Sequence, residues 1–285
     1  MSETLPSPAP LSDRVPAWLW PNLLCLDAPI VSVVWLGVFS AAYDMPLEAT
    51  AFLVLFLAVW CLYAGDRILD ALKRRAGDPS PGLQTPRHAF MGRHLRLFAV
   101  LIFFAAFIGV LVAITRLERP IFGAGLIVAT GAVAYFGAFV APIGGNRPLP
   151  GKSLAAGLLI AAGITVPIFA DYSGKLPVEP VFALFAGICA LNILAISARD
   201  GDLEGRRLAA GLVTPLGIAL TLAAAGYALF GTTVETAPAL RPLLFSLSLA
   251  GAALTILHVN RRSIGQDAFR VLADVALLTP LIPMP

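Results

Sequence analysis

Asp66 and Asp70 stand four residues apart at the end of a long apolar run, separated by Arg67, Ile68 and Leu69 and followed by Lys73, Arg74 and Arg75. Residues at that spacing share one face of a helix, where two carboxylates repel each other unless a cation or a basic group lies between them. An acid carried to a bilayer centre costs at least ~2.5–3.5 kcal/mol, so acids beside an apolar run call for a function. A hard divalent cation suits the pair. Mg²⁺ takes oxygen ligands, keeps several waters, and is commonly held by one or two carboxylates plus the phosphates of a substrate. Tyr63 falls on the same helical face as Asp66, Asp70 and Arg74, so a metal, a phosphate and a counter-charge could meet there. A plainer reading is a helix end at which Asp70 pairs with Arg74 and Asp66 meets water.

A second acidic group, Asp200, Asp202 and Glu204, lies in a glycine-containing stretch flanked by Arg199, Arg206 and Arg207. It reads either as a second metal or phosphate anchor or as a neutralised loop. Asn192, two turns earlier, could point into a cavity or bond across helices. Arg87 and Arg93, each followed by a histidine, lie in a long basic loop; the spacing is poor for zinc. Either arginine could grip phosphate oxygens through paired hydrogen bonds, and a basic loop also suits an anionic membrane surface. Asp274 sits inside an apolar stretch, four residues after Arg270, where an intrahelical pair is one reading and a partner elsewhere in the bundle another. Asp27, Asn192 and Asp274 do not suggest a connected relay across a membrane. His258 reads as an interfacial polar residue at a helix end. Phe98, Phe103, Phe104, Phe107, Tyr135, Phe136 and Phe139 read as packing or lipid-facing rings, some of which could line an apolar tunnel.

The elements that must position these residues are membrane helices. The 285 residues are 58% hydrophobic and only 13% charged, with a mean hydropathy of +0.85, against about 25% charged for a soluble domain. Nine apolar runs are long enough for spans: roughly 22–43, 48–71, 94–115, 120–142, 152–170, 179–198, 208–230, 241–258 and 268–283. The last is interrupted by Pro280 and Pro283. Residues 1–21 read as a polar, proline-rich tail without the pattern of a cleavable signal peptide, and 22–285 as one membrane domain. Nine spans with the N-terminus inside place 16 of the 20 basic residues on one face, which puts the N-terminus in the cytoplasm and the C-terminus outside. Cys25, Cys61 and Cys189 lie at unrelated spacings and read as small buried hydrophobes. The expectation is an all-α, polytopic inner-membrane bundle, with membrane lipids as its solvent and no nucleic-acid partner. Acidic clusters followed by arginines after the second and sixth spans suggest an internal repeat of a four-helix unit.

With these motifs in this order, the chain resembles the UbiA superfamily of intramembrane prenyltransferases. Asp66 and Asp70 with Arg75 resemble that family's first acidic motif. Asp202, Glu204 and Gly205 resemble the core of its second, and Lys152 is placed like a basic residue frequent at the start of its fifth helix. The chain departs from the family pattern at Leu62, where asparagine is usual. It departs again at Ala198 and Arg199, near an expected acid that Asp200 could replace by a shift of register, and at Arg206, where the motif closes on Asp. The resemblance implies nine helices and Mg²⁺ held by Asp66, Asp70, Asp200, Asp202 and Glu204. It implies an allylic prenyl diphosphate contacted by Arg75, Arg87, Arg93, Lys152 and Arg199, with Tyr63 and Asn192 toward the cavity. Asp66, Asp70 and Asp202 would assist loss of diphosphate, and the prenyl group would pass to a lipophilic acceptor. A membrane terpene cyclase, or a non-catalytic lipid-binding or structural protein that keeps the fold, are the alternatives.

Overall fold

The computed structural model describes residues 15–75, 86–140, 151–200, 203–233 and 236–282. It is all-helical, with no strand among the described residues. Ten α-helices follow in order: α1 Trp20–Leu23, α2 Asp27–Ala42, α3 Ala49–Arg75, α4 Pro86–Arg116, α5 Arg119–Tyr135, α6 Lys152–Asp171, α7 Glu179–Asp200, α8 Leu203–Gly226, α9 Ala237–Val259 and α10 Gln266–Val275. A tighter 3₁₀ segment, Ala276–Leu281, continues α10. Seven of these helices, α3 to α9, contain stretches long and apolar enough to cross a membrane. An eighth is added if the bent pair Ala17–Leu23 and Asp27–Ala42 counts as one span. The membrane character expected from composition therefore stands.

The first apolar run is not one straight helix. It turns by 83° between Leu23 and Asp27, around Cys25, whose φ of +59° is left-handed. Pro29 supplies a local cause, because it has no N–H to donate to the Cys25 carbonyl one turn back. The freed chain is held from outside: Trp60 on α3 donates its indole N–H to the Leu24 carbonyl at 3.0 Å. On a straight helix, residues 22 and 27 would point about 140° apart. The bend brings them into contact, with Asn22 Nδ2 donating to Asp27 Oδ2 at 2.6 Å.

The last run also departs from a plain span. Pro280 lies in the 3₁₀ segment after α10, and the segment is tied inward: Trp35 Nε1 donates to the Leu277 carbonyl at 2.8 Å, and Thr279 Oγ1 to the Ser246 carbonyl at 2.9 Å. Buried backbone freed from helical bonding needs such partners. The chain's first and last apolar segments therefore pack against each other.

The main core gathers around α2, α6, α7 and α9. Trp35 and Phe39 of α2 enclose Phe185 of α7, with ring centroids 4.8 and 5.1 Å away, and all three are essentially inaccessible. In lipid, such packing is sustained by close van der Waals contact. Small residues permit it. A Cβ at Gly157 on α6 would lie 2.5 Å from the Ala190 backbone nitrogen on α7, closer than atoms can sit. Gly157→Ala is therefore expected to cost about 1–3 kcal/mol by forcing the two helices apart, read as a lower thermal midpoint of the purified protein. Gly65→Ala, which meets nothing within 4 Å, is the control.

A smaller cluster of Cys25, Ala64, Ala71, Met91 and Phe98 joins α3 to α4. The aromatics of α4 divide sharply. Phe98 is buried against Trp60 and Phe90, whereas Phe103, Phe104 and Phe107 are 54–66% exposed and face outward, as lipid-contacting rings would.

Candidate functional site

Helix alternation sorts the connections onto two ends. One end carries an open depression of about 920 Å³, lined by the turns after α2, α4 and α6 and the start of α9. The chemistry-bearing residues collect at the other. There the positions Tyr63, Asp66, Arg67, Asp70 and Arg74 of α3 lie within an arc of about 100°, by helical geometry. Asp66 and Asp70 are both half-buried.

Arg67 is the central residue of this arc. It is 6% exposed. Its guanidinium lies over the Tyr63 ring, Cζ 4.6 Å from the centroid, and Nη2 donates to the Tyr63 hydroxyl. Tyr63 in turn donates to Asp27 Oδ2 at 3.4 Å, the same oxygen that accepts from Asn22. Asp27 acts electrostatically on Asp274 of α10. Asn192 of α7 completes the set, with Nδ2 donating to Asp274 Oδ1 at 3.4 Å. One polar network thus runs from α1 through α2, α3 and α10 to α7.

Around it lie further charges. Arg87, in the first turn of α4, is 8% exposed and acts electrostatically on Cys25, as do Arg67, Asp27 and Asp66. Asp267, in the first turn of α10, feels the charges of Arg87 and Arg67. On the other flank, Asp66 acts electrostatically on Tyr135 at the end of α5. Buried arginines are costly unless anions or acceptors meet them, and here they stand among carboxylates.

The residues singled out from the sequence divide as follows. Tyr63, Asp66, Asp70, Arg87 and Asn192 lie on the helices that build this end. Lys152, the first residue of α6, is exposed, as is Arg93 on α4. Arg199 is half-buried and donates from Nη2 to the Ile264 carbonyl at 3.2 Å, pinning the connection between α9 and α10. Arg75 ends α3, Asp200 ends α7, and Glu204 is in the first turn of α8. Asp202 lies outside the described residues. His258, read as an interfacial polar residue at a helix end, is in the last turn of α9 and buried, with Nε2 3.3 Å from the Ala210 carbonyl. Asp27, Asn192 and Asp274, which did not suggest a relay across a membrane, lie together at this one end: Asn192 donates to Asp274, and Asp27 acts on Asp274 electrostatically. Arg67, read only as one basic charge among many, is its keystone; its place in the same helical arc as Asp66 and Asp70 was the available signal.

Among the described residues, no three His, Cys, Asp or Glu side chains come close enough to chelate a metal on their own. Asp66 and Asp70, with Cβ atoms roughly 5–6 Å apart as one-turn neighbours, are hard oxygen donors. They suit Mg²⁺ bound mainly through water and phosphate, not a closed protein cage.

No family model matches the chain, and no characterised protein or solved structure is significantly similar to it.

Proposed function

We propose that the chain is a membrane prenyltransferase that binds an allylic prenyl diphosphate with Mg²⁺ and transfers the prenyl group to a lipophilic acceptor. In this reading it is a UbiA-like protein of nine spans. The bent Ala17–Ala42 segment is the first, the Gln266–Leu281 segment the ninth, and two four-helix units are related as repeats. The basic end faces the cytoplasm, the C-terminus lies outside, and the membrane is a bacterial inner membrane.

The observation that carries the reading is the pairing, at one end of an apolar bundle, of half-buried Asp66 and Asp70 with buried Arg67 and Arg87. Bound Mg²⁺ would supply Lewis-acid neutralisation of the leaving diphosphate. Asp66 and Asp70 would hold it, with Asp200, Asp202 and Glu204 as the second acidic group. Arg87 offers bidentate hydrogen bonds to phosphate oxygens, with Arg75, Arg93, Lys152 and Arg199 as further candidates at the rim. Arg67, already bonded to Tyr63, contributes fixed positive potential. The apolar walls of the bundle exclude water from the developing allylic cation.

Purified protein in nanodiscs should be stabilised by farnesyl thiodiphosphate, a slowly ionising analogue, only when Mg²⁺ is present. Arg87→Gln should weaken the effect about tenfold or more, as expected for loss of a charge-assisted hydrogen bond worth roughly 1.5–3 kcal/mol. Stabilisation by the analogue without Mg²⁺, or equally by farnesol, would contradict the reading.

A further inference from the structure

The chain enters the bundle sideways. Ala17–Leu23 meets α2 at 83°, and a helix that crosses a bilayer tilts by about 20° on average. A segment nearly perpendicular to such a helix lies close to the plane of the membrane. It joins α2 beside Asp27, which Tyr63 of α3 reaches, so it lies at the basic end. One side of the segment faces the bundle, with Leu19 and Leu23 buried. The other does not: Trp18 and Trp20 are 48% and 42% exposed. Trp35 and Trp60 donate their indole N–H groups to the Leu277 and Leu24 carbonyls, whereas those of Trp18 and Trp20 bond to nothing among the described residues. An indole turned outward beside a membrane helix sits best at headgroup depth, where its ring meets apolar surface and its N–H a polar group.

The first turns of α4 make a corner with this segment. Trp20 meets the Phe90 ring edge-on, centroids 5.9 Å apart, and Phe90 in turn touches His94 and Phe98. At His94 the helix is kinked (φ −106°, ψ 19°). Its Nδ1 lies 3.0 Å from the Phe90 carbonyl one turn back, a side chain intruding on the backbone ladder. Arg93 and Arg96 flank the kink and are both exposed, and neither has an anionic partner among the described residues. From Arg96, Val100, Phe103 and Phe107 follow at helical spacing and are 53–66% exposed. An apolar stripe therefore runs into the hydrocarbon directly from a positive head.

We infer that this corner binds one anionic phospholipid of the leaflet at the basic end. Its phosphate is held by the Arg93 and Arg96 guanidinium groups, which suit phosphate through paired, charge-assisted hydrogen bonds. Trp18 and Trp20 border the headgroup, and one acyl chain lies along Val100, Phe103 and Phe107. The arginines alone would accept any phosphate. Their continuity with the apolar stripe selects an amphiphile. The site stands whether or not the prenyl-transfer reading holds, and it gives Arg93 a role that needs no substrate.

The test uses the purified chain in detergent, titrated with phosphatidylglycerol brominated near the top of its acyl chains, against phosphatidylcholine brominated in the same way. Indole fluorescence is the readout, since bromine quenches only at short range. Phosphatidylglycerol should quench wild type at a concentration lower by about tenfold or more, the effect expected of two arginines at an anionic lipid surface. Arg93→Gln/Arg96→Gln should remove that preference, and Trp18→Phe/Trp20→Phe should remove most of the quenching. Should the arginine variant fail to fold, wild type still decides. Its preference should shrink as NaCl is raised, and inorganic pyrophosphate at the concentration of the lipid should not displace it. Equal quenching of wild type by the two lipids, or a preference kept by the arginine variant, overturns the inference. So does undiminished quenching of the tryptophan variant, which puts the lipid elsewhere, or displacement by pyrophosphate, which returns the arginines to a soluble phosphate.

Discussion

Replacing Asp66 and Asp70 together by asparagine is expected to lower Mg²⁺-dependent diphosphate release from allylic diphosphates by at least about 10²–10³-fold, while the protein still folds. The magnitude is that of removing a preorganised group aimed at charge developing in a transition state. The two side chains share a face of α3 and are half-buried, so neutral isosteres of the same size remove charge with little loss of packing. Single substitutions should each give part of the loss and should raise the Mg²⁺ concentration needed for half-maximal rate, because one carboxylate still anchors the ion. Titrating Mg²⁺ against the initial rate separates this from a general loss of activity. A variant with an unchanged Mg²⁺ requirement and unchanged rate would remove Asp66 and Asp70 from the site.

The second large effect is on stability. Arg67→Met should destabilise the protein by about 3–5 kcal/mol, the usual cost of removing one partner of a buried ionic network. At 2–4 °C per kcal/mol for a chain of this order of size, the thermal midpoint should fall by roughly 6–20 °C. Arg67 is buried, donates to Tyr63 and covers its ring, and Tyr63 is what connects α3 to Asp27. Removing the guanidinium therefore loosens the link between α3 and the α2–α10 pair as well as costing a cation–π contact. Arg67→Lys should recover only part of the loss, since an ammonium cannot both lie flat on the ring and reach the hydroxyl. Arg93→Ala, at an exposed position on α4, should stay within about 0.5 kcal/mol of wild type. Equal effects at positions 67 and 93 would show that the network contributes nothing.

How much of this could be read beforehand differs from residue to residue. The runs that became α3 to α9 were legible because lipid demands a nearly uninterrupted apolar helix, and hydropathy reports that demand directly. The breaks at the two ends were not. Averaging over 20 residues hides a single turn at Cys25, although Pro29 was there to suggest one, and the last run's prolines were visible without revealing that Leu277 and Thr279 would be bonded by Trp35 and Ser246. The acidic pair on α3 was legible from spacing alone. The network was not: Asp27, Tyr63, Asn192 and Asp274 come from four helices, and only the packing of α10 against α2 and α7 brings them together. Arg67 was obscured for a different reason. In a basic loop-proximal segment, one arginine looks like every other unless its place on the helical arc is weighed against its neighbours.

The most direct test of prenyl-diphosphate chemistry is diphosphate release by the purified wild-type protein in nanodiscs, given C10, C15 and C20 allylic diphosphates with a membrane-lipid extract as the source of acceptor. Release that requires Mg²⁺, favours one chain length and is lost in the Asp66→Asn/Asp70→Asn double variant is the predicted result. No release from any of the three, together with no Mg²⁺-dependent binding of the thiodiphosphate analogue, would contradict it.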